Sequence, residues 1–251
     1  MRLHAFLKLM KYIKVEQFDN SVIAFTTTNE LGNMGYQVGN NNQQVLASRQ
    51  KLAKDFNLNI EDYVYTYQFH STILKRIDRN QIDKGTYSFE SGVRADALYT
   101  KDYNIPLCVF HADCVPIFVY DKTIPLVGII HAGKKGSIDE ITFKSLLYLI
   151  INEGVDPRNL RLHLGPSLSK ERELINEEEK QYLIMHGYDS CVNGNKLDKA
   201  KLNIEQALRL GVLKENITQS DADTFSNEFT YSASNLDKEE GRMVSIIYLK
   251  S

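Results

Sequence analysis

Three apolar runs follow one another closely near the middle of the chain, at 105–111, 116–121 and 126–132. The gaps between them are too short to hold a helix, so neighbouring strands with tight connections are expected. The centre of the molecule must then be sheet, and everything else has to pack around it. Two segments at the borders of these runs carry reactive side chains: His111-Ala-Asp-Cys-Val-Pro116 and His131-Ala-Gly-Lys-Lys-Gly-Ser137. Strand ends are where side chains can leave a core and converge on a ligand.

Around this centre, strand-like stretches fall at 22–26, 64–69, 160–164 and 243–249, and helical patterns at 43–56, 177–186 and 199–210. Ser137-Ile-Asp-Glu140 reads as a capping box. The helix it opens should run to about Asn152, with Ile141, Leu146, Leu147 and Ile150 on the buried side. Strands mixed with helices in this way mean an α/β or α+β chain whose sheets are covered by helices. No repeat, low-complexity tract or Pro/Gly/Ser linker interrupts it, so residues 1–251 are read as one domain.

Hydrophobic residues at 43% and charged residues at 25% suit a globular protein with a real core. A net charge of −2 gives no electrostatic reason to expect a nucleic-acid partner. No apolar stretch reaches bilayer-spanning length. In 1–14 the apolar residues are broken by His4, Lys8, Lys11 and Lys14, too often for a signal-peptide core. That segment is expected to be amphipathic or an edge strand, and the protein to be cytoplasmic. Three cysteines make a disulfide framework unexpected. Cys108 lies inside an apolar run and suits the core, and Cys191 has no nearby partner, which leaves Cys114 for chemistry.

His70 ends the run 64–69, so His70, Cys114 and His131 share one context: each ends or interrupts an expected strand. A thiolate and two imidazoles form a zinc ligand set, and three protein ligands leave a fourth position open for catalysis. Their spacing matches no zinc-finger motif. The same residues equally suit a nucleophile–base pair, with Cys114 attacking and His131 or His70 as base. Gly133-Lys-Lys-Gly-Ser137 offers main-chain N–H groups with Lys134 and Lys135, either an anion site or a tight turn with two solvated lysines. Arg49, on an expected helix, could serve a phosphate or the surface.

Taken together, several ordered segments resemble a known family. They are Asn33-Met34-Gly35, Arg49, Gln68-Phe69-His70, Ala95-Asp96-Ala97-Leu98, Ala112-Asp113-Cys114-Val115-Pro116, His131-Ala132-Gly133 with Gly136, Leu164-Gly165-Pro166-Ser167 and Gly241-Arg242-Met243. The chain is similar over nearly its whole length to the laccase-domain (multicopper polyphenol oxidase-like, YfiH-type) proteins, regarded as purine nucleoside phosphorylases. The resemblance implies an α/β fold, a single-domain α/β/β/α layered sandwich. It implies zinc held by His70, Cys114 and His131. It also implies phosphorolysis of adenosine, inosine, guanosine and methylthioadenosine, with adenosine deamination. Purine nucleosides and phosphate are then the partners, with no nucleic acid and no membrane; the oligomeric state is left open. Arg49 matches the family's functional arginine and is expected to bind phosphate together with Lys134 and Lys135. Asn33 and Gln68 match positions lining the same cleft, and Asp113 is a candidate proton shuttle beside Cys114.

Copper oxidase chemistry fits less well. A trinuclear copper centre needs many histidines, and this chain has six, with two in matching motifs. Two rival functions remain: a Cys114–His hydrolase linked to peptidoglycan editing, and a non-catalytic binding member with a degenerate pocket. The chain also departs from the family pattern. Lys134-Lys135 stands where Trp-Arg or Trp-Lys is usual, His111 where threonine precedes Ala-Asp-Cys, Asp223-Thr224 where Cys-Thr is found, and Ser232 in place of an arginine.

Overall fold

The computed structural model describes residues 11–39 and 41–251. Its strands are β1 (Tyr12–Lys14), β2 (Val22–Thr27), β3 (Val64–Tyr67), β4 (Leu74–Arg76), β5 (Val93–Arg94), β6 (Ala97–Thr100) and β7 (Leu107–His111). They continue as β8 (Val115–Asp121), β9 (Leu126–Ala132), β10 (Leu160–Leu164), β11 (Val192–Asn193), β12 (Lys196–Leu197), β13 (Ile217–Gln219) and β14 (Met243–Leu249). The helices are α1 (Asn42–Phe56), α2 (Lys134–Ile138), α3 (Ile141–Glu153), α4 (Glu177–Met185) and α5 (Lys199–Arg209). Two six-stranded sheets result, ordered β1-β2-β14-β7-β3-β5 and β13-β10-β8-β9-β6-β4, and β11 and β12 form a small hairpin.

Side-chain alternation along each strand builds four layers. Cys108 and Phe110 point outward from the first sheet, where Leu52, Ala53 and Phe56 of α1 cover them. Leu107 and Val109 point inward, against Phe118, Tyr120, Val127 and Ile129 of the second sheet. On the far side, Ile117, Val119 and Ile130 meet Ile141, Leu146 and Leu149 of α3 and Ala200 and Ala207 of α5. The order helix, sheet, sheet, helix is the expected α/β/β/α sandwich. An inter-sheet residue such as Phe118 is fully buried, and truncating it to alanine should cost about 3–5 kcal/mol.

The three central runs divide between the sheets. β8 and β9 pair antiparallel from Val115↔Ala132 to Asp121↔Leu126. β7 instead pairs with β14 and β3 in the other sheet. All three runs are buried along their length, so no polar alternation distinguishes a neighbour in one sheet from a strand in the facing sheet. The chain crosses between sheets at Ala112-Asp113-Cys114, which carries Cys114 to the seam.

The capping box at Ser137 does not form. Ser137 is buried within α2, and its hydroxyl accepts from Asn203 Nδ2 at 2.8 Å. Helix α3 begins at Ile141, after Glu140 in the left-handed region at φ 65°. The Glu140 carboxylate accepts from the Tyr188 hydroxyl at 2.7 Å rather than folding back on Ser137. The buried face of α3 carries Ile141, Leu146 and Leu149, while Leu147 and Ile150 are half-buried. Of the segment 1–14, residues 1–10 lie outside the described residues. Tyr12–Lys14 is an edge strand on β2, and the Tyr12 ring meets Phe25 and Phe56 edge-on at 5.1 and 5.2 Å.

Candidate metal centre and its cleft

His70, Cys114 and His131 converge from three directions. His70 lies just past β3 in the first sheet, Cys114 at the crossing, and His131 near the end of β9 in the second. Their ligand atoms all lie within 4.8 Å of one another, and Cys114 Sγ is 3.9 Å from His70 Nε2. His131 is buried, Cys114 half-buried and His70 exposed, so the cluster opens to solvent on one side.

Asp96, fully buried at the head of β6, organises both imidazoles. Its Oδ1 accepts from His131 Nδ1 at 2.9 Å and from the His70 main-chain N–H at 3.1 Å. Its Oδ2 accepts from the Ser71 N–H and hydroxyl, both at 2.7 Å. Wrapping the main chain around that carboxylate puts His70 in the left-handed region at φ 59°, a conformation costing a non-glycine residue roughly 1–2 kcal/mol. The Asp96 bond to Nδ1 leaves His131 Nε2 for the cluster, the arrangement that orients metal-binding histidines.

Charge holds the cluster poised. Burial alone would raise the Cys114 thiol, but the charge and hydrogen bond of His131, with His70 and Lys199 beyond, pull it down to about 5. Burial opposes a charge on His131, yet the Cys114 thiolate and Asp96 push it up to about 9. The pair is therefore a thiolate and an imidazolium around neutrality.

The donor set fits a metal ion. A tetrahedral ion with ordinary Zn–N and Zn–S bonds holds its donors about 3.4–3.6 Å apart, so the cluster needs only modest contraction. Gly133 keeps the space clear: a Cβ there would lie 2.5 Å from His70 Cδ2 and 3.1 Å from Cys114 Sγ. Among the described residues this is the one His/Cys/acid group with donors close enough to hold an ion.

A cleft of about 410 Å³ opens over the cluster, walled by Phe89, Phe110, Gln68, His111, Asp113 and Arg242 among others. The remaining residues expected at the site have their polar atoms bonded elsewhere. Arg49 is buried, with its guanidinium donating to the carbonyls of Met34, Gly85 and Thr86 and stacked over Tyr65 at 4.0 Å. Asn33 donates to the carbonyls of Gly35 and Val38 and accepts from the N–H groups of Gly35 and Arg242. Gln68 lines the cleft, but its amide pairs with both main-chain groups of Phe110, at 2.8 and 2.6 Å. The Asp113 oxygens accept from Thr224, Ser232 and Ser234. Lys134 is tied to Glu179 and the Leu174 carbonyl, and Lys135 to Asp139.

Three residues matter that the sequence reading did not assign to the site. Asp96 was visible only as part of a motif. Arg242 lines the cleft, and the one hydrogen bond of its side chain among the described residues runs from Nη1 to the carbonyl of Gly241 at 2.8 Å. His111 lines it too; burial, with His131 and Arg242 nearby, pushes its pKa down to about 3, so the ring is neutral. Arg242 follows Gly241 in a motif already noted, and His111 stands at a departure from the family pattern; those were the available signals.

Comparison with known proteins places this architecture. The Bacillus subtilis protein named purine nucleoside phosphorylase YlmD is 28% identical over 262 residues, covering 97% of this chain and 94% of that one. The Campylobacter jejuni protein named purine nucleoside phosphorylase Cj1217c is 29% identical over 192 residues, covering 76% and 79%. The crystal structure of the Bacillus licheniformis hypothetical protein YfiH matches with a TM-score of 0.90 at 26% identity, covering 97% and 98%. YlmD from Geobacillus stearothermophilus matches in fold with a TM-score of 0.87 at 23% identity, covering 96% and 97%. The family model described as multi-copper polyphenol oxidoreductase laccase matches residues 25–250, and the chain belongs to that family.

Proposed function

We propose that this chain is a zinc-dependent purine nucleoside phosphorylase of the cytoplasm, with adenosine deamination as a second activity at the same centre. The observation that carries this reading is the His70–Cys114–His131 donor cluster at the base of an aromatic-walled cleft that also holds Arg242. The names of relatives matched over most of the chain support the substrate class. The cleft's volume, about 410 Å³, falls in the range of small-molecule sites.

In phosphorolysis a phosphate oxygen bonds to C1′ of the ribose while the N-glycosidic bond breaks. Its electron pair leaves with the purine, which then takes up a proton, and the sugar carries positive charge in transit. His70, Cys114 and His131 would hold the zinc, which when bound supplies a Lewis acid. Phe89 and Phe110 offer aromatic faces for a purine. Arg242 is assigned the phosphate rather than Arg49, Lys134 or Lys135, whose cationic groups are bonded to carbonyls or carboxylates. Asp113, with both oxygens taken up, is assigned to anchoring the 224–234 segment rather than to moving protons.

The test is release of hypoxanthine from inosine and of adenine from adenosine, with and without phosphate, on protein of known zinc content. Phosphate-dependent release that disappears together with bound zinc in Cys114→Ala is the expected result. No release from fully zinc-loaded protein would overturn the reading for these substrates. A second reading rests on the thiolate–imidazolium pair: a Cys114–His131 hydrolase. It requires turnover that survives chelation and is stopped by thiol alkylation.

A further inference from the structure

One residue lining the cleft carries a buried polar atom without a partner. His111 is 2% exposed, yet its Nδ1 makes no hydrogen bond among the described residues. Buried polar atoms are nearly always satisfied, and each exception calls for an explanation such as a ligand. The other side of the ring is well anchored. His111 Nε2 lies 2.8 Å from Ser245 Oγ, which lies 2.6 Å from Thr26 Oγ1.

The direction of that chain follows from counting protons. If Thr26 donates to Ser245 and Ser245 donates to His111 Nε2, both hydroxyl protons are used. The neutral ring then carries its own proton on Nδ1. The reverse order strands the Thr26 hydroxyl proton in the core as well as leaving Nδ1 unbonded. The satisfied order therefore puts a fixed N–H donor on a residue that lines the cleft. Strand pairing adds a cation beside it: His111 of β7 is registered opposite Met243 of β14, whose preceding residue is Arg242.

We propose that His111 Nδ1–H and the Arg242 guanidinium together form the oxyanion-binding half of the cleft, with His111 donating a hydrogen bond to an oxygen of the attacking phosphate. This rests on the phosphorylase reading for its substrate but not for its geometry. Phosphate offers acceptor oxygens to both groups, and a donor fixed by two hydroxyls loses little freedom on binding.

The experiment uses zinc-loaded protein with inorganic phosphate as probe. In protein carrying ¹⁵N-labelled histidine, Nδ1 of His111 should appear protonated and Nε2 unprotonated, and the Nδ1 resonance should move as phosphate is added. His111→Phe should weaken phosphate binding, and raise the KM for phosphate, about tenfold or more, with the nucleoside KM changed less than about twofold. His111→Asn, whose amide N–H can stand near the lost Nδ1, should recover part of the affinity. Should the Phe variant not fold, the wild-type resonances and the Asn variant decide the matter. A stationary Nδ1 resonance with unchanged phosphate affinity overturns the proposal, even in an active phosphorylase. Phosphate binding that depends on His111 in a protein without nucleoside turnover upholds it and sinks the phosphorylase reading alone.

Discussion

Two sets of polar residues drawn from the same ordered motifs treat their hydrogen-bonding capacity in opposite ways. His70, Cys114 and His131 keep donor atoms free and turned toward one another. Arg49, Asn33 and Gln68 direct theirs to main-chain carbonyls and N–H groups. Motif residues can therefore be a cleft's chemistry or its carpentry, and residue type alone does not separate them. What separates them is whether a long-range main-chain partner is in reach.

The sharpest way to break this division is to remove one member from each set. Cys114→Ala should abolish stoichiometric metal binding and lower turnover by about three orders of magnitude or more, roughly 4 kcal/mol of barrier, while the fold persists; metal analysis and steady-state assays check both. Arg49→Met should do the opposite. Leaving the carbonyls of Met34, Gly85 and Thr86 without their donors should cost about 3–5 kcal/mol in denaturant unfolding, with metal content per folded chain unchanged.

Asp96→Asn sits between the two sets, since Asp96 belongs to the framework but acts on the imidazoles. It should weaken metal affinity about 10–100-fold, measured by competition with a chelating dye. A smaller effect sharpens the electrostatics. In metal-free protein Cys114 should stay reactive to iodoacetamide as pH falls, until its thiolate is protonated near pH 5. Cys108, which burial raises, should not react in folded protein. His131 works the other way: its proton is held up to about pH 9, so a metal must displace it at neutral pH. Apparent affinity should then rise about tenfold per pH unit below that value, from this one proton. The smallest expected change is in the double variant Lys134→Ala/Lys135→Ala, less than about twofold in phosphate KM, because both lysines already pair with partly exposed carboxylates, Glu179 and Asp139, in ion pairs worth little to stability.

Much of this was legible in the residues. β14 and the helices near 43–56, 177–186 and 199–210 follow from local pattern, and the triad from reactive residues at strand ends. Local pattern failed where a distant partner intervened. Ser137 gave up its cap for Asn203, and β7 left β8 for β14 because runs buried on both faces carry no sign of which sheet they join. The same holds at the site. Arg49 looks identical in sequence whether it meets a phosphate or the carbonyl of Met34. The free nitrogen of His111 is defined by Ser245, far along the chain.

The crossing at Cys114 has a mechanical consequence. Each ligand is rooted in a different part of the sandwich: His70 in one sheet, His131 in the other, Cys114 on the strand link between them. An ion bound by all three would act as a rivet through the laminate. Occupancy would resist shear between the layers, and the melting temperature would climb with the logarithm of free metal concentration. In such a molecule the catalytic ion and the fastener are one part, so a cell short of the metal would lose protein along with activity.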